Sequence, residues 1–304
     1  MTHKEQNFVS AVVYLHGEKP QQVTAFFETL AAQMEQHFLH YEFIAVDDAC
    51  GADTLQALRA WAAHCDHPLT MLHMSLQQGL ELGMNAGLDA AIGDYVYEFD
   101  TTAMDYDAAL IWKAYETALT GSDIVSVCPQ KVGTASKWFY KVFNANSHAR
   151  YPLRTDAFRL VSRRAVNRVH ASSAHLPYRK AAYAASGLKM IDLEYNGSLT
   201  AARSGRFALA ADSLLLYTDA GVKFSVGLAI AMMAVALLEL LYTVVVFCTG
   251  HPVAGWTTTM FVLTVGLAGL FAVLAIVVKY LSLLVDLTFK KQKYLVESIE
   301  KIQK

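Results

Sequence analysis

The run Phe43-Ile44-Ala45-Val46-Asp47-Asp48-Ala49-Cys50-Gly51-Ala52-Asp53-Thr54 changes character in its middle. Four apolar residues read as a buried strand. Two aspartates and a glycine follow at once, and Asp53-Thr54 then open a helical period with Leu55, Leu58 and Trp61 on one face. Working outward, Val9 to Leu15, Leu69 to Met74, Asp94 to Phe99 and Asp123 to Val127 read as further strands, with Glu42 to Val46 the strand of the quoted run. Between them lie a helix with Val23, Phe26, Phe27, Leu30 and Met34 on one stripe and another from Gly79 to Ala91. This alternation predicts an α/β domain with a mainly parallel sheet and helices on both faces, whose ligands bind at the carboxyl ends of the strands.

Two predicted strand ends carry acids. Asp47 and Asp48 can accept hydrogen bonds from a base or ribose or hold a cation, and they serve equally as turn and capping residues. Glu98 and Asp100 are two apart, so both point to the same side of their strand end, as a shared cation requires.

Composition excludes several classes. The 304 residues carry 25 basic and 27 acidic side chains, so no global basic field invites nucleic acid. With 54% hydrophobic and only 17% charged residues, disorder is excluded as well. Cys50, Cys65, Cys128 and Cys248 show neither zinc nor disulfide spacing, which fits a reducing compartment. The eleven histidines show no metal spacing, and Asn196-Gly197-Ser198 is read as a chance sequon.

The apolar excess is concentrated after Lys223. Phe224 to Cys248, with Glu239 its only formal charge, and Trp256 to Val278, with none, each exceed the roughly 20 residues needed to cross a bilayer. Thr249 to Gly255 between them lacks Lys and Arg, whereas Lys223 precedes the pair and Lys279, Lys290, Lys291 and Lys293 follow it. The asymmetry predicts a two-helix transmembrane hairpin with both termini cytoplasmic in the cell inner membrane. Phe8 to Leu15 is too short and lacks the basic flank of a signal peptide. Glu239 is expected at a helix-packing or oligomer contact. Residues 134 to 147, with Trp138, Phe139, Val142 and Phe143 among Lys137 and Lys141, are expected to form a helix in the headgroup plane.

The order of three motifs resembles the family 2 glycosyltransferases of GT-A, Rossmann-like fold: Val46-Asp47-Asp48 to Asp53-Thr54, Asn85-Ala86-Gly87-Leu88-Asp89-Ala90-Ala91, and Gly93-Asp94-Tyr95-Val96-Tyr97-Glu98-Phe99-Asp100. Phe158-Arg159-Leu160-Val161-Ser162-Arg163-Arg164, Arg203-Ser204-Gly205-Arg206-Phe207, the two apolar segments and the basic tail make the chain similar to the polyprenyl-phosphate glycosyltransferases within it.

The resemblance implies transfer of a sugar from a nucleotide-sugar donor to a membrane polyprenyl phosphate on the cytoplasmic face, with Mg2+ or Mn2+, and a homo-oligomer. It implies donor binding by Glu18, Asp47, Asp48 and Glu98, with Glu98 and Asp100 on the metal. It assigns Asp100, Asp156 and Arg159 to catalysis, and Arg159, Arg203, Ser136, Lys137 and Arg206 to the acceptor phosphate. The sequence departs from the family at Glu98 (usually Asp), Thr102 (usually Gln) and His16-Gly17. Arg163 and Arg164 are expected on a solvated helix face. The expected division is a nucleotide-sugar half (1–133), an acceptor half (134–222), the hairpin (223–286) and a basic tail (287–304).

Overall fold

A computed structural model describes residues 4–147, 149–172, 178–198 and 294–302, with scattered positions between 227 and 284. Among the described residues no helix is long and apolar enough to cross a membrane. Both predicted spans lie mostly outside the described residues, as do Glu239, the 249–255 connection, Arg203 and Arg206.

Among the described residues strands and helices follow one another as β1 (Val9–Leu15), α1 (Pro20–His37), β2 (Tyr41–Asp47), α2 (Ala52–Ala62), β3 (Leu69–Met74), α3 (Leu80–Ala90), β4 (Tyr95–Phe99), α4 (Ala109–Leu119), β5 (Ile124–Lys131), α5 (Thr134–Asn146), β6 (Phe158–Ser162), α6 (Arg163–Ser172), α7 (Arg179–Ala185) and β7 (Met190–Ser198). An eighth strand, β8 (Val296–Ile302), comes from the tail. All eight make one sheet in the order β7-β5-β6-β4-β1-β2-β3-β8. β1 to β4 pair in parallel, as β5 does with β7. β6 is inserted antiparallel between β4 and β5, and β8 closes the β3 edge antiparallel.

The central strands β1 and β2 are buried along their whole length, which explains their unbroken apolar runs. Pro20 occupies the first turn of α1, where its missing N–H costs nothing. The helix's predicted stripe is buried, with Phe27 edge-on to Phe43 and Phe26 edge-on to Phe99. On the opposite face α3 approaches so closely that a Cβ on Gly87 would lie 2.4 Å from Val12 Cγ1 and 2.9 Å from Val46 Cγ2.

The five predicted strands form, β1 and β3 with the predicted bounds and the other three with ends shifted by one to four residues. Asp94 falls just outside β4, where its carboxylate accepts the Phe8 N–H and its own N–H donates to the Phe8 carbonyl. β6, β7 and β8 were not predicted. Arg159 interrupts the apolar pattern of β6, and β8 is mostly exposed. Strands from both sides of the expected boundary at 133 interleave in one sheet, and the tail adds a strand to it. The described positions between 227 and 284 are helical. Among the described residues Met232 approaches both Gly266 and Gly269 of the second apolar segment: a Cβ on Gly269 would come 2.8 Å from its Sδ.

Candidate active site

The carboxyl ends of β1, β2 and β4 lie side by side, because β1 pairs with both of the others. At the end of β2, Asp47 and Asp48 divide their work. Asp48 is fully buried; it accepts the Tyr14 hydroxyl (2.6 Å) and the backbone N–H groups of Gln78 and Gly79 (each 2.7 Å). Its carboxylate therefore braces the loop that opens α3. Burial, then Asp48, pushes the Tyr14 hydroxyl far above its usual range, so it remains a donor. Asp47 keeps a side-chain exposure of 11% and accepts the Cys50 N–H (2.9 Å) while His73 Nδ1 lies 2.7 Å from its other oxygen. Between them and α2, Ala49 takes a left-handed φ of 68°, which sharpens the turn. From the β1 end, the carboxylate of Glu18 accepts the His16 N–H (2.5 Å), and the His16 ring meets the Asp48 carbonyl at 2.6 Å.

Beyond β4 the structure brings Glu98, Asp100, Asp156 and Arg159 into one buried charge cluster, together with four residues the sequence reading did not select, Glu81, Arg179, Lys180 and Tyr183. Arg159 stands opposite Glu98 in the antiparallel β4–β6 register, so their side chains share a face. Its guanidinium donates to Glu98 (2.9 Å) and to Asp156 (2.9 Å), and reaches Asp100 at 3.5 Å. Arg179, without exposure, donates to Glu81 (2.9 Å), Glu98 (3.0 Å) and Asp100 (2.9 Å). Lys180 donates to Asp156 at 2.7 Å, and the Tyr183 hydroxyl to Glu98 at 2.5 Å.

Charges so deep persist only when mutually compensated. Burial pushes the Asp156 carboxyl up, but Arg159 and Lys180 outweigh it and hold it below the usual carboxylate range. Burial works against the charge of Lys180 too, and Asp156 reverses it, raising the ammonium above its usual value.

This network decides what can meet a divalent cation. Among the described residues no three His, Cys, Asp or Glu side chains converge as a ready ligand set. Glu98 is fully buried with one oxygen taken by Tyr183 and the other by two arginines, so a cation would have to displace one of these partners to reach it. Asp100 retains 13% side-chain exposure. One carboxylate with diphosphate oxygens and water is an ordinary set for Mg2+ or Mn2+, and Asp100 fits that role.

The acceptor residues are likewise redistributed. Arg159 is 4% exposed and already spent on three carboxylates, which leaves no fork for a lipid phosphate. Asp156 is held ionised between Arg159 and Lys180 and has a positioning place. Ser136 and Lys137 stand on α5, Lys137 exposed, beside Trp138 at 68% exposure, while Phe143 faces inward on Leu153 and Ala181. Lys180 ties α5 to the cluster through the Tyr140 hydroxyl (3.2 Å). Arg163 is half-buried and donates to the carbonyls of Gly93 (2.9 Å) and Ala91 (2.7 Å). Arg164 is exposed and pairs with Asp123.

Residues 10–184 match the family described as glycosyl transferase family 2. An uncharacterised glycosyltransferase of Synechocystis is 30% identical over 137 residues, covering 42% of this chain and 42% of that relative, so this chain matches under half of the relative's length. Among solved structures, a mannosyltransferase of Pyrobaculum calidifontis, in complex with GDP-Man and Mn2+, superposes over 88% of this chain and 87% of its own with TM-score 0.52 at 18% identity. Glucosyl-3-phosphoglycerate synthase of Mycobacterium tuberculosis, in complex with Mn2+, UDP-Glc and glycerol 3-phosphate, covers 69% of this chain and 78% of its own with TM-score 0.52 at 11% identity. At such identities the likeness is of fold, and both bear the same mostly parallel α/β sheet. The family match, spanning the acid-bearing ends of β2 and β4 and running on through Arg179, means that this chain belongs to glycosyl transferase family 2.

Proposed function

We infer that the chain transfers a glycosyl group from a nucleotide sugar to a polyprenyl phosphate at the cytoplasmic face of the membrane, anchored by its two apolar segments. The observation that carries the membrane part is the return of the chain. It leaves the sheet after β7, and after both apolar segments it adds β8 to the same sheet. A chain that returns to the same sheet crosses a bilayer an even number of times, and two crossings by the two apolar segments agree with the lysine asymmetry around them. The close approach of Gly269 to Met232 supports their packing as a hairpin. The exposed Trp138 and Lys137 of α5 give the domain a face suited to headgroups.

Asp47 faces the nucleoside and Asp100 is the carboxylate that would hold Mg2+ or Mn2+. When bound, the cation neutralises the donor diphosphate. The acceptor needs little activation, since a phosphate monoester has its second pKa near 6 and is largely dianionic at neutral pH. Its oxygen forms the bond to the anomeric carbon as the bond to the diphosphate breaks, and the nucleoside diphosphate leaves with that electron pair. With Arg159 committed, the acceptor clamp falls to Ser136 and Lys137, joined by Arg203 and Arg206. The cavity of about 440 Å³ near the end of β7 is lined by Asp105, Asp107 and Glu194 against Lys113, the wrong sign for a phosphate.

A second reading, a catalytically silent binding protein, is favoured by the saturation of Glu98. The test incubates membranes holding the full chain with labelled UDP- and GDP-sugars and either polyprenyl phosphate or 3-phosphoglycerate. Butanol-soluble label is expected with the lipid. Label only on phosphoglycerate overturns the acceptor, and no label with any donor favours the silent protein.

A further inference from the structure

The last described strand reaches both aspartates at the end of β2. In the parallel register Asp47 lies beside His73, and in the antiparallel register His73 lies opposite Ser298, which puts Glu300 diagonally across on the same face. The contacts follow that geometry. Arg59 on α2 grips Glu300 through Nε (3.1 and 3.0 Å) and Nη2 (3.0 Å). Glu300 Oε2 lies 3.3 Å from His73 Nε2, and His73 Nδ1 lies 2.7 Å from Asp47 Oδ2. A separate path leads to Asp48. The Gln78 side chain clasps both backbone groups of Leu295 (2.8 and 2.6 Å), while its own N–H donates to the Asp48 carboxylate (2.7 Å).

We propose that Glu300 is a positioning residue for the donor nucleotide, acting through His73 on Asp47, so that the strand following the apolar segments sets the geometry of the nucleotide site. A carboxylate rotates easily about its last bond, and Asp47 is fixed by two partners on different oxygens, the Cys50 N–H and His73. His73 is in turn held at its far nitrogen by Glu300, and Glu300 by Arg59. Loss of Glu300 frees the imidazole to turn and leaves Asp47 with one partner. The proposal rests on the reading that Asp47 faces the nucleoside.

The test is calorimetric titration of UDP and GDP into the detergent-solubilised full chain with Mn2+, using the wild type, Asp47→Asn, His73→Gln, Glu300→Gln, the His73→Gln/Glu300→Gln double variant, and Glu297→Gln on the exposed face of β8 as control. Glu300→Gln is expected to weaken nucleotide binding about three- to tenfold, the scale of one charge-assisted hydrogen bond. The nucleotide-sugar KM should rise by the same factor at unchanged kcat. In the His73→Gln background, Glu300→Gln should add nothing, since the two act in series. A merely structural role predicts instead equal additive losses in both backgrounds, or a fall in melting temperature with unchanged affinity, and either overturns the proposal. If the wild type binds neither nucleotide, or Asp47→Asn binds as well as it, the underlying reading of Asp47 fails. If Asp47→Asn weakens binding and Glu300→Gln does not, the relay alone fails.

Discussion

Glu98 and Asp100, two residues apart and on one face, have different duties. Removing the charge of Glu98 leaves Arg159 and Arg179 facing each other with one counter-ion fewer in a site without water access. Glu98→Gln is therefore expected to lower unfolding free energy by about 3–5 kcal/mol, measured by denaturant titration. Asp100→Asn should cost less stability, since Arg179 keeps Glu81 and Glu98, yet cut turnover by about 100-fold or more through loss of cation binding. Unchanged turnover in Asp100→Asn would remove it from the site. Asp156 offers a pH signature. Its folded value is depressed, so its stabilisation is complete above the unfolded carboxylate value of about 3.9 and is lost as pH falls through the lower folded one. Melting temperatures of the wild type and Asp156→Asn should differ at neutral pH and converge in acid; a constant gap down to pH 2 would contradict the ion pair. Asp47, Asp48, Glu98 and Asp100 could be selected as residues because strand ends are visible in sequence, whereas Arg159, on a strand the pattern does not reveal, is reached only through the family resemblance. Arg179 could not be selected, since its partners Glu81 and Glu98 lie 98 and 81 positions away. The one available trace was two cations opening the otherwise apolar Ala181–Ala185 turn.

At the scale of elements, α3 and α5 carry opposite demands. The α3 face is pressed on β1 and β2 with no room for a side chain at Gly87, so Gly87→Ala is expected to cost about 1–3 kcal/mol despite the higher helix propensity of alanine. Chemical denaturation checks this, and a more stable variant would show that the helix can shift outward. On α5, by contrast, Trp138 packs little against its own domain. Trp138→Ala should leave the melting temperature nearly unchanged while raising the polyprenyl-phosphate concentration needed for half-maximal rate in vesicles. An equal rate at all lipid concentrations would take α5 away from the membrane. The α5 limits were legible from its period, but which aromatics face inward was not: Phe143 is core and Trp138 is not, and that choice belongs to Leu153 and α7.

For the whole molecule, the pairing of β8 with β3 makes topology testable. A tag inserted in Thr249 to Gly255 should be accessible outside intact cells, and tags at either terminus shielded; opposite accessibility of the two termini would reject an even number of crossings. The amino-acid sequence by itself determined the βα alternation, the acids at strand ends and the two long apolar segments, because these depend on periodicity and on runs of neighbouring residues. Only the tertiary structure decided that β6 enters between β4 and β5, that Glu98 is paired with two arginines, and that the tail completes the sheet. Those outcomes turn on pairings across tens to hundreds of residues, where a local pattern carries no record of the partner, and on burial, which converts a ligand-like carboxylate into a saturated counter-ion.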